Sequence, residues 1–272
     1  MEKARNFTKK IFKLLMKPEM RILPGHLAFF LVMTLIPLVA LIATIAANLS
    51  ISTDSIRVAI NSSVPSGIAN ILNGIIAGDG INFNIIVFYA SAFLLASNGA
   101  YSMINSSNEI YKVEPNNIVS RRLKAITMTF VLVGIFIFLI IVPIFGSNIF
   151  DILKELTGDS VIIQIIREML VILKYPLILV ILFMNIKLMY VIAPDKEIPG
   201  KTTNKGALFT TIGWVLSTEV FAFYVEKFAR YDLFYGSISN ILILLLWIYL
   251  LSYIYVLGMV INASEYNGEL ND

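Results

Sequence analysis

Apolar positions along the chain come in six long runs, parted by shorter polar or basic stretches, over 23–48, 83–110, 123–150, 166–193, 203–228 and 238–264. A helix needs about 20 mainly apolar residues to cross a hydrocarbon layer about 30 Å thick. Every run has that length, and none alternates with the period of two that a barrel strand needs. Within lipid only helices and closed barrels satisfy their own backbone. The pattern predicts an all-α fold, a polytopic membrane helix bundle of six transmembrane helices.

Two further segments carry a helical period. Ala4, Phe7, Ile11, Leu14 and Leu15 recur at helical spacing before Pro18, with lysines on the remaining faces. This predicts a basic amphipathic helix lying on an anionic leaflet. Between the first two runs, Ile68, Ile71, Leu72, Ile75 and Ile76 repeat at i, i+3, i+4, i+7 and i+8. Ser66 is placed to cap that helix, and Gly78, Asp79 and Gly80 stop it. A third apolar face, with Phe150, Leu153 and Leu156, follows the third run. The domain division is therefore a basic segment over 1–22, one membrane domain over 23–264 and a short tail over 265–272.

Composition agrees. Of 272 residues, 58% are hydrophobic and only 14% charged, where globular chains carry roughly 45–50% and about 25%. The mean hydropathy is +0.82. These values exclude a soluble enzyme and a disordered chain. The absence of cysteine excludes disulfide, iron–sulfur and zinc–thiolate sites.

Charge sets the orientation, because Lys and Arg concentrate on cytoplasmic segments. Lys3, Arg5, Lys9, Lys10, Lys13, Lys17 and Arg21 precede the first run; Lys112, Arg121, Arg122 and Lys124 follow the second; Lys196, Lys201 and Lys205 follow the fourth. The opposite side has only Arg57, Lys154, Arg167, Lys227 and Arg230. Both termini are expected on the cytoplasmic side of the membrane. The formal charge of +3 follows from this asymmetry, and nucleic acid need not be invoked.

Polar residues inside the runs mark candidate function. Ser91, Asn98, Ser102, Asn105 and Glu109 share one helical face of the second run, which is expected to face a wet cavity or another helix. Glu219 stands near the middle of the fifth run, and Lys174 lies in the fourth. Pro37, Pro143 and Pro176 are candidate kinks. Chemistry has less to stand on. His26 is the one histidine, so no paired-histidine metal site exists, and neither a P-loop nor a Gly-x-Ser-x-Gly elbow is present. Asp195 with Glu197, and the acids of the tail, read as solvated loop charges. No cofactor, no metal and no catalytic residue is expected.

Leu27-Ala28-Phe29-Phe30 and Thr34-Leu35-Ile36-Pro37-Leu38 in the first run, and Asn108-Glu109-Ile110-Tyr111-Lys112-Val113 closing the second, form a specific series. It continues with Gly206-Ala207, Trp214, Phe221, Tyr224, Phe228, Tyr231 and Tyr235-Gly236-Ser237, and ends with Leu246-Trp247-Ile248-Tyr249, Gly258 and Asn262. In this order the series resembles the YihY/BrkB family of bacterial inner-membrane proteins across nearly the whole chain. The resemblance implies six spans, membrane lipids as surroundings and an envelope lipid or other amphiphile as cargo. Some members carried the label ribonuclease BN, which the residue inventory does not support. Gly236 is expected in a tight turn, Gly258 at a close helix approach, and Trp247 and Tyr249 packed inside the bundle. The leading expectation is a transporter or flippase; the alternative is an assembly protein without transport, and a ribonuclease comes last. Oligomeric state is not legible.

Overall fold

Five of the six apolar runs carry the helices expected of them, and the third, 123–150, is helical over 123–131, the part of it that is described. The computed structural model describes residues 15–48, 54, 57, 58, 60, 61, 66–77, 85–131, 133, 161–227 and 235–268. Within these, α1 is Glu19–Asn48, α2 is Ser66–Ala77 and α3 is Ile85–Tyr111. Helix α4 runs over 118–131. Then come α5 (Val161–Ile192), α6 (Asn204–Lys227), a 3-10 turn (Gly236–Ile238) and α7 (Ser239–Tyr266). Among the described residues there is no strand. Two helices there, α6 and α7, are long and apolar enough to cross a membrane, and a shorter apolar stretch spans Pro176–Ile192.

The expected amphipathic helix between the first two runs is α2, running from Ser66 to Ala77. Residues 1–14, Pro143 and the segment with Phe150, Leu153 and Leu156 lie outside the described residues. Helix α1 continues through Pro24 and Pro37, and α5 through Pro176.

Local signals explain the ends. Helix α3 stops where Lys112 takes a left-handed φ of 53°. The Val113 amide then bonds Asn108 O at 2.9 Å and the Lys112 amide bonds Glu109 O at 3.3 Å. This is a Schellman cap with lysine where glycine is usual. Helix α4 opens on Asn117, whose Oδ1 accepts the Ser120 amide at 2.7 Å. Gly236, with φ +52°, makes the turn into α7 as the sequence suggested.

Helix α7 is the central element, packing on α1, α2, α3 and α6. One apolar cluster joins Leu27, Ile104, Met128, Ile186, Tyr190, Tyr255 and Met259. A second sets Ile68 of α2 against Ala28, Ile243, Leu244 and Ile248.

The seam between α6 and α7 is closest at its glycines. A methyl group on Gly206 would strike Gly258 O and Asn262 Oδ1, and one on Gly213 would lie 2.7 Å from Ile254 Cγ2. A methyl on Gly258 would strike Thr210 Oγ1. Small residues let helix backbones approach where lipid offers no hydrophobic push between them. Gly99 of α3 does the same against α1, where a methyl group would sit 2.9 Å from Thr34 Oγ1.

Candidate functional site

The polar face of α3 is divided between two neighbouring helices and the surface. Ser102 turns to α1, its hydroxyl 3.2 Å from His26 Nδ1. Asn98 and Asn105, seven residues apart, turn to α4. Arg122 Nη1 donates to Asn98 Oδ1 at 2.8 Å, and Arg122 Nη2 donates to Leu94 O at 2.9 Å. Arg121 Nη1 donates to Asn105 Oδ1 at 2.6 Å, and Arg121 Nε donates to Asn116 O at 3.0 Å. The Tyr101 ring lies between them, 5.4 Å from the Arg121 guanidinium and 5.9 Å from that of Arg122. Attraction of a cation to the ring face adds to this hold. Among the described residues neither arginine pairs with a carboxylate. Glu109, the last member of the face, is exposed.

One turn further along lies the most densely bonded carboxylate among the described residues. Asp195 follows α5, and its side chain is 1% exposed. Its Oδ1 takes Lys124 Nζ at 2.9 Å; its Oδ2 takes Asn108 Nδ2 at 2.7 Å and the Asn116 amide at 3.1 Å. Its own amide donates back to Asn108 Oδ1 at 2.8 Å. Lys124 also donates to Ala193 O at 3.0 Å and to Pro194 O at 2.5 Å. Burial pushes the Asp195 carboxyl up, but the bonds from Lys124, Asn108 and the Asn116 amide, with the Lys124 charge, outweigh it and hold the group below the ordinary carboxylate range. The expectation of a solvated loop charge is therefore corrected for Asp195. Glu197 is exposed, as expected.

A third set ties α5, α6 and α7. Tyr190 OH donates to Tyr255 O at 2.7 Å and lies 2.7 Å from Thr210 Oγ1. The Gly206 amide, an orphan donor in the first turn of α6, bonds Asn262 Oδ1 at 2.7 Å. Trp214 Nε1 donates to Leu251 O at 2.9 Å, and Trp247 Nε1 to Thr218 Oγ1 at 3.3 Å. Ser106 Oγ, Ser107 Oγ, Ser252 Oγ, Tyr255 OH and Asn262 Nδ2 are buried without a bonding partner.

The structure brings Asn98 and Asn105 together on one pair of arginines, sends Ser102 to His26 and leaves Glu109 at the surface. Glu219 stands apart from them, on the exposed face of α6 with Ile212, Val215 and Phe223. Lys174 sits in α5, and its side chain lies outside the described residues. Tyr249 is 45% exposed rather than packed inside, because its position on α7 faces away from the α6 seam. The sequence reading missed Arg121, Arg122, Lys124 and Asp195 as site residues. The only signal in the sequence was the adjacency of the two arginines; their place on the asparagine face comes from the tight turn after Tyr111, which folds α4 back along α3. No group of three His, Cys, Asp or Glu that could hold a metal ion occurs among the described residues.

Comparison with known proteins gives a consistent picture. The family model described as virulence factor BrkB matches residues 12–271. A ribonuclease-like protein, YfkH, of Bacillus subtilis is 31% identical over 266 residues, covering 95% of this chain and 94% of that protein. A UPF0761 membrane protein of Nitrosospira multiformis is 37% identical over 75 residues, 28% of this chain and 18% of that protein. A UPF0761 membrane protein of Vibrio cholerae El Tor is 34% identical over 76 residues, 28% of this chain and 26% of its own. No solved structure matches the chain.

Proposed function

The chain belongs to the BrkB family, and from that premise we propose that it is a six-span protein of the bacterial plasma membrane that moves an anionic amphiphile, such as an envelope lipid, between leaflets. Both termini lie in the cytoplasm in this reading, as the Lys and Arg distribution requires. The observation that carries it is the arginine pair. Arg121 and Arg122 are held side by side by Asn105, Asn98 and Tyr101, with no carboxylate paired to either among the described residues. Guanidinium forks fit phosphate oxygens in two-point contacts. The asparagine face thus serves cargo indirectly, by aiming the arginines. Glu219 and Lys174 stay secondary members of the route, marked by the cost of placing charge inside a span.

The test is lipid translocation in vesicles reconstituted with purified protein and fluorescent anionic lipid analogues. Arg121→Gln with Arg122→Gln is expected to abolish protein-dependent flux while the protein stays folded. Undiminished flux in that double variant would sink the assignment.

A second reading has its own support. Ser102 with His26, Asn108 with Asp195 and Gly206 with Asn262 all spend polar groups on joining segments, which is what an assembly protein without transport needs. It predicts that substitutions in these pairs lower abundance and leave no flux to measure in the native protein. The ribonuclease reading ranks last, because metal-assisted hydrolysis needs clustered ligands and the described residues hold no such group.

A further inference from the structure

Among the described residues, nothing packs closely enough on Gly25 to require glycine there. Gly67, Gly99, Gly206, Gly213 and Gly258 each sit where an added methyl group would press a neighbour at 3.1 Å or closer. A methyl on Gly25 would meet only Tyr249 Cε2, at 4.0 Å. Glycine inside a helix weakens it relative to alanine, and here its missing side chain leaves space beside Tyr249.

What it opens is a groove. Gly25 and Phe29 of α1 face Leu242, Leu245, Leu246 and Tyr249 of α7 across an open apolar cleft of about 470 Å³. On α7 these residues follow i, i+3, i+4, i+7 and form one stripe. Helix α7 is among those long and apolar enough to cross a membrane, so in a bilayer the cleft lies open to acyl chains. Its charged end is specific. Arg21 lies one turn before Gly25, and Arg21, Gly25 and Phe29 repeat at four-residue spacing on an exposed face of α1. The Arg21 guanidinium makes no ion pair or hydrogen bond with the described residues. An apolar slot with an unpaired cation one turn beyond its end matches a molecule with an acyl chain below an anionic phosphate.

We propose that the α1–α7 groove is a fixed binding site for one anionic phospholipid, its acyl chain lying over Gly25 and its phosphate held by Arg21. The site is separate from the Arg121–Arg122 pair. It rests on α1 and α7 spanning the membrane, and it holds whether or not the protein transports.

The experiment takes the full-length protein from bilayers of equal phosphatidylglycerol and phosphatidylcholine and quantifies the lipid that stays bound through detergent washing. The native chain is expected to retain phosphatidylglycerol roughly tenfold over phosphatidylcholine, the size of one charge-assisted contact. Arg21→Gln is expected to remove the preference and keep the total. Gly25→Leu is expected to lower the total of both lipids; Leu246→Trp fills the groove from the opposite wall and serves if the first variant does not fold. Equal retention of the two lipids by the native chain overturns the proposal. So does an unchanged preference in Arg21→Gln, or an unchanged total in both groove-filling variants. Flux is scored in the same vesicles. Absent flux with the preference intact removes transport and supports the groove; flux without any preference removes the groove alone.

Discussion

Asn108 and Asp195 are bonded to each other twice, the Asn108 amide group donating to Asp195 Oδ2 at 2.7 Å and the Asp195 backbone amide returning a bond to Asn108 Oδ1 at 2.8 Å. One side chain near the end of α3 thereby fixes both the backbone and the carboxylate of the segment after α5. Lys124 of α4 completes the fastening from a third element.

Asp195→Asn is expected to lower stability by about 2–4 kcal/mol, since it leaves Lys124 without its buried counter-charge. Thermal unfolding in detergent measures this. Lys124→Met is expected to cost a similar amount from the other side.

The same pair sets a pH dependence. Asp195 has a folded pKa below its unfolded one, so its contribution is fully present above the ordinary carboxylate range. It is lost as pH falls through the lowered folded value. The stability difference between native protein and Asp195→Asn should therefore be flat near neutrality and shrink in acid. A difference that grew on acidification would refute the sign.

Gly206→Ala is expected to cost about 1–3 kcal/mol through overpacking against Gly258 O and Asn262. Gly25→Ala should be neutral or slightly stabilising, because its methyl group would meet only Tyr249 Cε2, at ordinary contact distance. Melting temperatures of the two variants, measured side by side, test the contrast.

Lys112→Gly is expected to stabilise the chain by roughly 0.5–1 kcal/mol, because the cap of α3 requires the left-handed backbone that glycine adopts without a clash. A loss of stability would mean that the lysine side chain contributes more than its backbone strain removes.

Arg122→Lys should behave like a loss rather than a conservative change. A single ammonium cannot reach both Asn98 Oδ1 and Leu94 O in the fork that Nη1 and Nη2 make. Flux near that of Arg122→Gln is the expected outcome; native flux in Arg122→Lys would show that charge alone suffices.

Helix positions were legible because a run of about 20 apolar residues is written in composition. The predicted 203–228 and 238–264 became Asn204–Lys227 and Ser239–Tyr266. The period of Ile68, Ile71, Leu72, Ile75 and Ile76 gave α2 in the same way. Partner choice was not legible. Asn98 and Asn105 announced a polar face, but nothing in their spacing said that arginines twenty residues on would occupy it. Asp195 reads as a loop acid because burial is decided by which segments meet over it, and the meeting of 108, 116, 124 and 195 is long-range. Glu219 reads as a costly charge because it stands near the middle of the fifth run, yet on α6 the small residues claim the inner face and leave the glutamate outside.

The seam of Gly206, Gly213 and Gly258 leaves inheritance no room in one direction. No amino acid is smaller than glycine, so every substitution at these positions adds atoms to a contact that has none to spare. A change there cannot be answered at the same site. It must be answered across the seam, at Thr210, Ile254 or Asn262, or by the two helices moving apart. A change on either helix is thereby a change in the seat of the other, and the two behave as one packed object.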